Sequence, residues 1–132
     1  MPITWTVSHP ARLVLAVGKG EINATDVLFY LDDIDRVGAL PYRKVFDLTG
    51  IAATMPTQDV RLIGMRVMAL AGGKPTGPLA IVVASDAISE LAKVFEATVT
   101  TRRPLQIFRD YDAARAWLDE VAAAPEAPSD QL

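Results

Sequence analysis

Three aspartates follow apolar strand-like runs: Asp47 after Val45-Phe46, Asp86 after LAIVVA, and Asp110 after LQIF. The carboxyl ends of parallel strands face the usual ligand crevice of an α/β sheet, so a carboxylate there is placed to touch a ligand. General acid–base work requires a second titratable group within hydrogen-bond reach, and none stands near Asp47 in the sequence. Asp47 has an alternative reading, as acceptor for the N–H groups of the loop behind it. Asp86 and Asp110 have one too, as helix-start residues whose charge the dipole favours. His9 is the single histidine and lies in Ser8-His9-Pro10, which is turn chemistry. It is expected to be an exposed turn residue. The run Gly72-Gly73-Lys74-Pro75-Thr76 has the composition of a phosphate loop. It fails as one, because Pro75 stands where Ser or Thr must follow the lysine, and because it leads from helix to strand. Arg102-Arg103 reads as a solvated basic edge, with phosphate or partner contact as the alternative.

The residues that are missing constrain the chemistry further. With no cysteine, thiolate catalysis, disulfides and cysteine-based zinc sites are excluded. With one histidine, a transition-metal site would need carboxylates alone, and no Asp/Glu cluster has calcium-loop spacing. Neither a metal nor a cofactor is expected. Lys plus Arg number 13 against 16 Asp plus Glu, and the formal charge of −3 argues against a broad nucleic-acid surface. The N-terminal MPITWTVSHPAR has neither a basic nor an apolar leader segment, so no signal peptide is expected. The longest apolar run, 78–84, is strand-sized and far short of the roughly 20 residues of a spanning helix. A cytoplasmic protein without a transmembrane segment is expected.

Apolar contact chemistry concentrates in the second helical segment. Arg61, Met65 and Met68 recur at i, i+4 and i+7 on its outer side, and Leu62 and Arg66 lie on a third face. That is a wider apolar surface than a surface helix needs, and methionine suits adaptable contacts. Three readings stay open: extra core, a homodimer face, or the lining of an apolar pocket. Phe29 falls with Asp33 and Arg36, off the inner stripe of the first helix, and is a candidate contact point.

The elements that position these residues follow from periodicity. Ile3, Trp5 and Val7 alternate with threonines, a half-buried strand. Residues 12–17 form a second strand that pairs with it in a hairpin, ended by Gly18-Lys19-Gly20. Asn23 caps a first helix, with Asp26 in the capping-box position. Its stripe is Val27, Tyr30, Leu31, Ile34 and Val37, and Gly38 stops it. Residues 43–48 form a third strand. Thr57 is read as the N-cap of the second helix, whose stripe is Val60, Ile63, Val67 and Leu70. Residues 79–84 lack any polar side chain and require a central strand covered on both faces. Ser85 caps the third helix, with Ile88, Leu91, Ala92, Phe95 and Val99 inside. Residues 105–108 are a fifth strand, and Asp110 caps a last helix built on Ala114, Trp117, Leu118 and Val121. The expected fold is α/β in the order ββαβαβαβα: a mixed five-stranded sheet with four helices and the first strand antiparallel at the edge. One domain over 1–122 is expected, followed by a disordered tail over 123–132.

This order, together with KVFDLTG, PLAIVVASDAISELAKVFEA and LQIFRDYDAARAWL, resembles the STAS domain, specifically its SpoIIAA-like branch, over residues 3–121. The branch also resembles the CRAL-TRIO lipid-binding domains in layout. The resemblance implies a regulatory binding domain akin to anti-sigma-factor antagonists, which switch on phosphorylation after the third strand. The usual Asp-Ser-Ser/Thr-Gly pattern falls here on Met55-Pro56-Thr57-Gln58, so the phosphoacceptor is a proline and only Thr57 carries a hydroxyl. The chain is therefore expected to be non-enzymatic. It would recognise a protein partner or a second copy of itself through Asp47, Thr54, Met55, Thr57, Arg61, Met65, Met68 and Phe95. The alternative is a carrier of a small apolar ligand or lipid. Such a carrier requires a dry cavity beside Met65, Met68 and Phe95.

Overall fold

The computed structural model describes residues 2–99 and 103–123. The chain runs β1 (Ile3–Ser8), β2 (Leu13–Gly20), α1 (Ala24–Arg36), β3 (Arg43–Ile51), α2 (Thr57–Ala71), β4 (Leu79–Val82), α3 (Asp86–Thr98), β5 (Leu105–Phe108) and α4 (Tyr111–Ala123). The five strands form one sheet in the order β1-β2-β3-β4-β5. Only the β1–β2 pair at the edge is antiparallel. The expected element order and mixed sheet are both present.

Strand order fixes where the helices go. Each parallel connection steps one strand in the same direction, and a right-handed crossover must then return over the same face. Accordingly α1, α2 and α3 lie side by side on one face, with α2 between the other two. There Ile3, Val14 and Ala16 of the sheet meet Tyr30, Ile34, Ile63 and Val67, and Leu79, Ile81 and Val83 meet Ile88 and Ala92. The opposite face carries α4 alone, where Leu13, Val45, Ala80 and Val82 pack on Ala114 and Leu118. Each residue of β4 is buried because the strand is central and covered on both faces.

Several boundaries differ from the sequence reading. Gly18-Lys19-Gly20 does not end β2 but continues it, with a register shift against β3 between Val17 and Lys19. A Cβ at Gly18 would stand 3.0 Å from Ile51 Cδ1 and 3.3 Å from Leu48 Cδ2, so a side chain there would press on those two tips. A glycine at a bulge looks like a turn glycine in sequence. Pairing with this extension carries β3 on to Ile51, while β4 stops at Val82, opposite Asp47. The N-cap of α2 is Pro56, and Thr57 is the first helical residue, so no side chain caps that helix. The Asn23 capping box and the Ser85 cap are both formed. Asp110 Oδ2 accepts from Ala113 N at 3.0 Å. The last helix reaches Ala123, one residue beyond the expected domain limit. The rest of the expected tail, 124–132, and Arg102 lie outside the described residues.

A candidate ligand cavity between sheet and helices

In β3, alternate residues face opposite layers. Val45 joins the α4 layer, so Lys44, Phe46 and Leu48 face α1, α2 and α3. Those three side chains, with Leu79 and Ile81 of β4, form the floor of a cavity of about 120 Å³. The walls are the inner stripes of the helices: Val27, Tyr30 and Leu31 of α1, Val60, Ile63 and Val67 of α2, and Ile88, Ala92 and Phe95 of α3. The volume is close to that of engineered apolar cavities, about 150 Å³, that stay dry and take up benzene.

The two ends of the cavity differ in chemistry. Near the carboxyl ends of the strands it is bordered by Ile51 at the end of β3 and by Ala53 and Met55 of the β3–α2 connection, of which Ala53 is exposed. This is the mouth. Near the amino ends stand Lys44, Thr76 and Arg103. Lys44 is buried, and its Nζ donates to Leu40 O, to Thr76 O and to Tyr42 O at 2.6 Å. Burial, and then the charge of Arg103, push Lys44 down to about 7. The three carbonyls match the three N–H donors of an ammonium and oppose that shift. Arg103 lies over the Phe95 ring, 5.8 Å from its centroid. Its Nε and Nη2 are buried with no hydrogen-bond partner, and so is Tyr30 Oη. Burial lowers Arg103 to about 10, with the Tyr30 hydroxyl opposing. Burial also raises the Tyr30 phenol, which therefore stays a neutral donor. No Asp or Glu among the described residues lines the cavity.

Of the contact residues read from the sequence, the structure brings Met55 and Phe95 to this cavity. Met65 does not line it and is 61% exposed, and Met68 is half-buried on α2 without lining it. Thr54, Thr57 and Arg61 are exposed. Asp47 lies on the α4 side of β3, where its Oδ1 accepts from Thr49 N at 2.9 Å and Thr49 Oγ1 at 2.7 Å. That is its alternative reading, as acceptor in the following chain. Asp86 meets Arg109 Nη2 at 2.6 Å. The three aspartates therefore do not converge on one site. His9 is exposed but not alone, with Nδ1 2.7 Å from Tyr42 Oη. Phe29 is 61% exposed against Trp5.

Lys44, Tyr30 and Arg103 were not singled out as one site. One signal was available: Lys44 stands two residues before Phe46 in a strand, so it must share the Phe46 face. Among the described residues no three His, Cys, Asp or Glu are grouped to hold a metal ion, and no helix is long and apolar enough to cross a membrane. Comparison with protein-family models, curated proteins and solved structures gives no match.

Proposed function

We infer that this domain is a non-enzymatic binding module that takes a small, mainly apolar ligand between its sheet and α1–α3. The observation that carries the reading is the cavity of about 120 Å³ walled by the inner stripes of three helices. Small-molecule sites are concave and mostly apolar, with a few convergent polar groups. Cores at native packing density leave few voids larger than a water. Among the described residues no acid and base are paired at the cavity, which favours binding over catalysis. Tyr30, Lys44 and Arg103 are the titratable groups at the cavity among the described residues. Among the described lining residues Lys44 is the one amine, and its three carbonyl partners tie its Nζ into the fold, so it is not a free nucleophile. The likeness to SpoIIAA-like and CRAL-TRIO domains agrees with a regulatory or carrier role.

A protein-recognition role is favoured by a separate observation. Among the described residues the large exposed apolar side chains are Phe29 on α1 and Leu62 and Met65 on α2. Met65 lies beside Arg61 on the outer side of the helix, and Leu62 lies on the adjoining face.

One experiment separates the two. The protein purified from its own host is weighed by native mass spectrometry and then after denaturation. A bound ligand appears as extra mass that denaturation removes. A dimer without extra mass favours the recognition face. A bare monomer that also takes up no apolar probe sinks the ligand reading.

A further inference from the structure

We propose that the ligand is a slender apolar monocarboxylate, with its carboxylate on the Nε/Nη2 edge of Arg103 and its apolar end toward Met55. This inference rests on the cavity's being a ligand site, and it adds the chemical class and orientation of the occupant.

The argument starts from charge. Two basic side chains, Lys44 and Arg103, line one apolar cavity, and no described acidic residue lines it with them. Arg103 lies near enough to Lys44 to depress its proton affinity. Buried charges in folded proteins are paired or neutralised. Lys44 is satisfied by three backbone carbonyls. Arg103 is not: Nε and Nη2 are both buried and without partners. Those two atoms form one edge of the planar guanidinium, where two N–H bonds point in parallel. Such an edge matches the two oxygens of a carboxylate in a bidentate pair. Tyr30 Oη, the other orphaned polar atom at the cavity, can add a third donor to one oxygen. The donors supplied are therefore what one carboxylate accepts.

Orientation follows from where these groups sit. Arg103 precedes β5, and Lys44 opens β3, so the cations are at the amino-end rim of the sheet. Phe46, Leu48, Ile51 and Met55 continue from there toward the mouth without a charged side chain. The ligand body must be thin, since the cavity of about 120 Å³ lies between the sheet and the inner stripes of three helices. A longer chain would extend past Met55 and Ala53 into solvent. A bulky or dianionic head does not suit a cleft with a single unpaired fork.

The test uses three probes of equal chain length: octanoate, 1-octanol and octylamine, titrated calorimetrically at pH 7 in a buffer free of phosphate and carboxylates. Octanoate is expected to bind at least about tenfold more tightly than octanol, the usual scale of a charge-assisted pair. Octylamine should bind more weakly than either. In Arg103→Gln the octanoate affinity should fall about tenfold or more while that of octanol stays within about threefold, which also shows that the variant is folded. Arg103→Lys keeps the charge but not the fork, and should recover only part of the loss. Equal affinities for octanoate and octanol, or an Arg103→Gln variant with unchanged octanoate binding, would overturn the carboxylate assignment and leave the apolar site standing. No binding of any of the three probes would overturn the apolar site itself.

Discussion

Lys44 couples the candidate site to pH. Burial and the charge of Arg103 lower its pKa from the ordinary 10.5 to about 7. Between these values the folded chain tends to hold Lys44 neutral, while the unfolded chain keeps it protonated. The unfolded state then binds more protons, so stability rises as pH increases from about 7 toward 10. The gain is at most on the order of 4 kcal/mol, because the carbonyls of Leu40, Tyr42 and Thr76 favour the ammonium and shrink the shift. The groups facing Lys44 are Arg103 ahead of β5, lowered only to about 10, and Tyr30 on α1, raised above its ordinary value. Neither changes charge between pH 6.5 and about 9, so Lys44 dominates this cluster there. Lys44→Met removes the titration and leaves three carbonyls without their donor, at a cost of about 1–3 kcal/mol for each one left unmet. Urea melts of parent and variant should therefore diverge as pH rises, with the parent gaining stability and the variant flat. Parallel profiles would mean that Lys44 keeps its proton throughout. This residue was legible only in part. Its face follows from strand alternation, but its carbonyl partners come from the 40–42 and 76 turns, which no local pattern brings together.

At the scale of elements, the cavity walls depend on how closely α2 and α3 approach. Gly64 is buried on α2, and a Cβ there would stand 2.6 Å from Thr98 Cγ2 and 3.0 Å from Thr98 Cβ. Thr98 cannot easily yield, because its Oγ1 donates to Val94 O at 2.8 Å. Gly64→Ala should lower stability by about 1–3 kcal/mol despite alanine's better helix propensity. Adding Thr98→Ala should return much of that loss, a coupling that a double-mutant cycle measures directly. If the single change is neutral or stabilising, the helices are not held at this contact. The helices were well read from sequence where a stripe and a cap agreed, as for Asn23–Asp26 and Ser85. The start of α2 differs from the sequence reading because Thr57 has the right residue type while Pro56 has the right backbone. Proline's fixed φ suits a helix entry, and the observed φ of −58° with ψ of 142° leaves Pro56 as the cap. The extra length of β2 and β3 is not legible locally, because it comes from the pairing of Lys19 and Gly20 with Gly50 and Ile51, which are remote in sequence.

At the scale of the whole molecule, one sheet separates two cores with different tasks. The α1–α3 face holds the cavity, and the α4 face is closed around Leu118 and Ala114, both fully buried. Val45 and Val82 belong to the α4 layer, whereas Phe46 and Ile81, their chain neighbours, line the cavity. Damage on the α4 side can reach the ligand side only through the backbone of these shared strands. Leu118→Ala removes a buried side chain and should cost about 2–5 kcal/mol. For a domain of this size that corresponds to a fall in Tm of roughly 5–20 °C. The affinity for octanoate, measured well below the lowered Tm, should stay within about twofold, since no cavity group moves and sites that share no partner act nearly independently. A loss of affinity in step with stability would show instead that the sheet transmits strain from one face to the other, and that α4 helps to set the width of the cavity. Retained affinity would place the binding function in the three-helix face and assign α4 a purely supporting role.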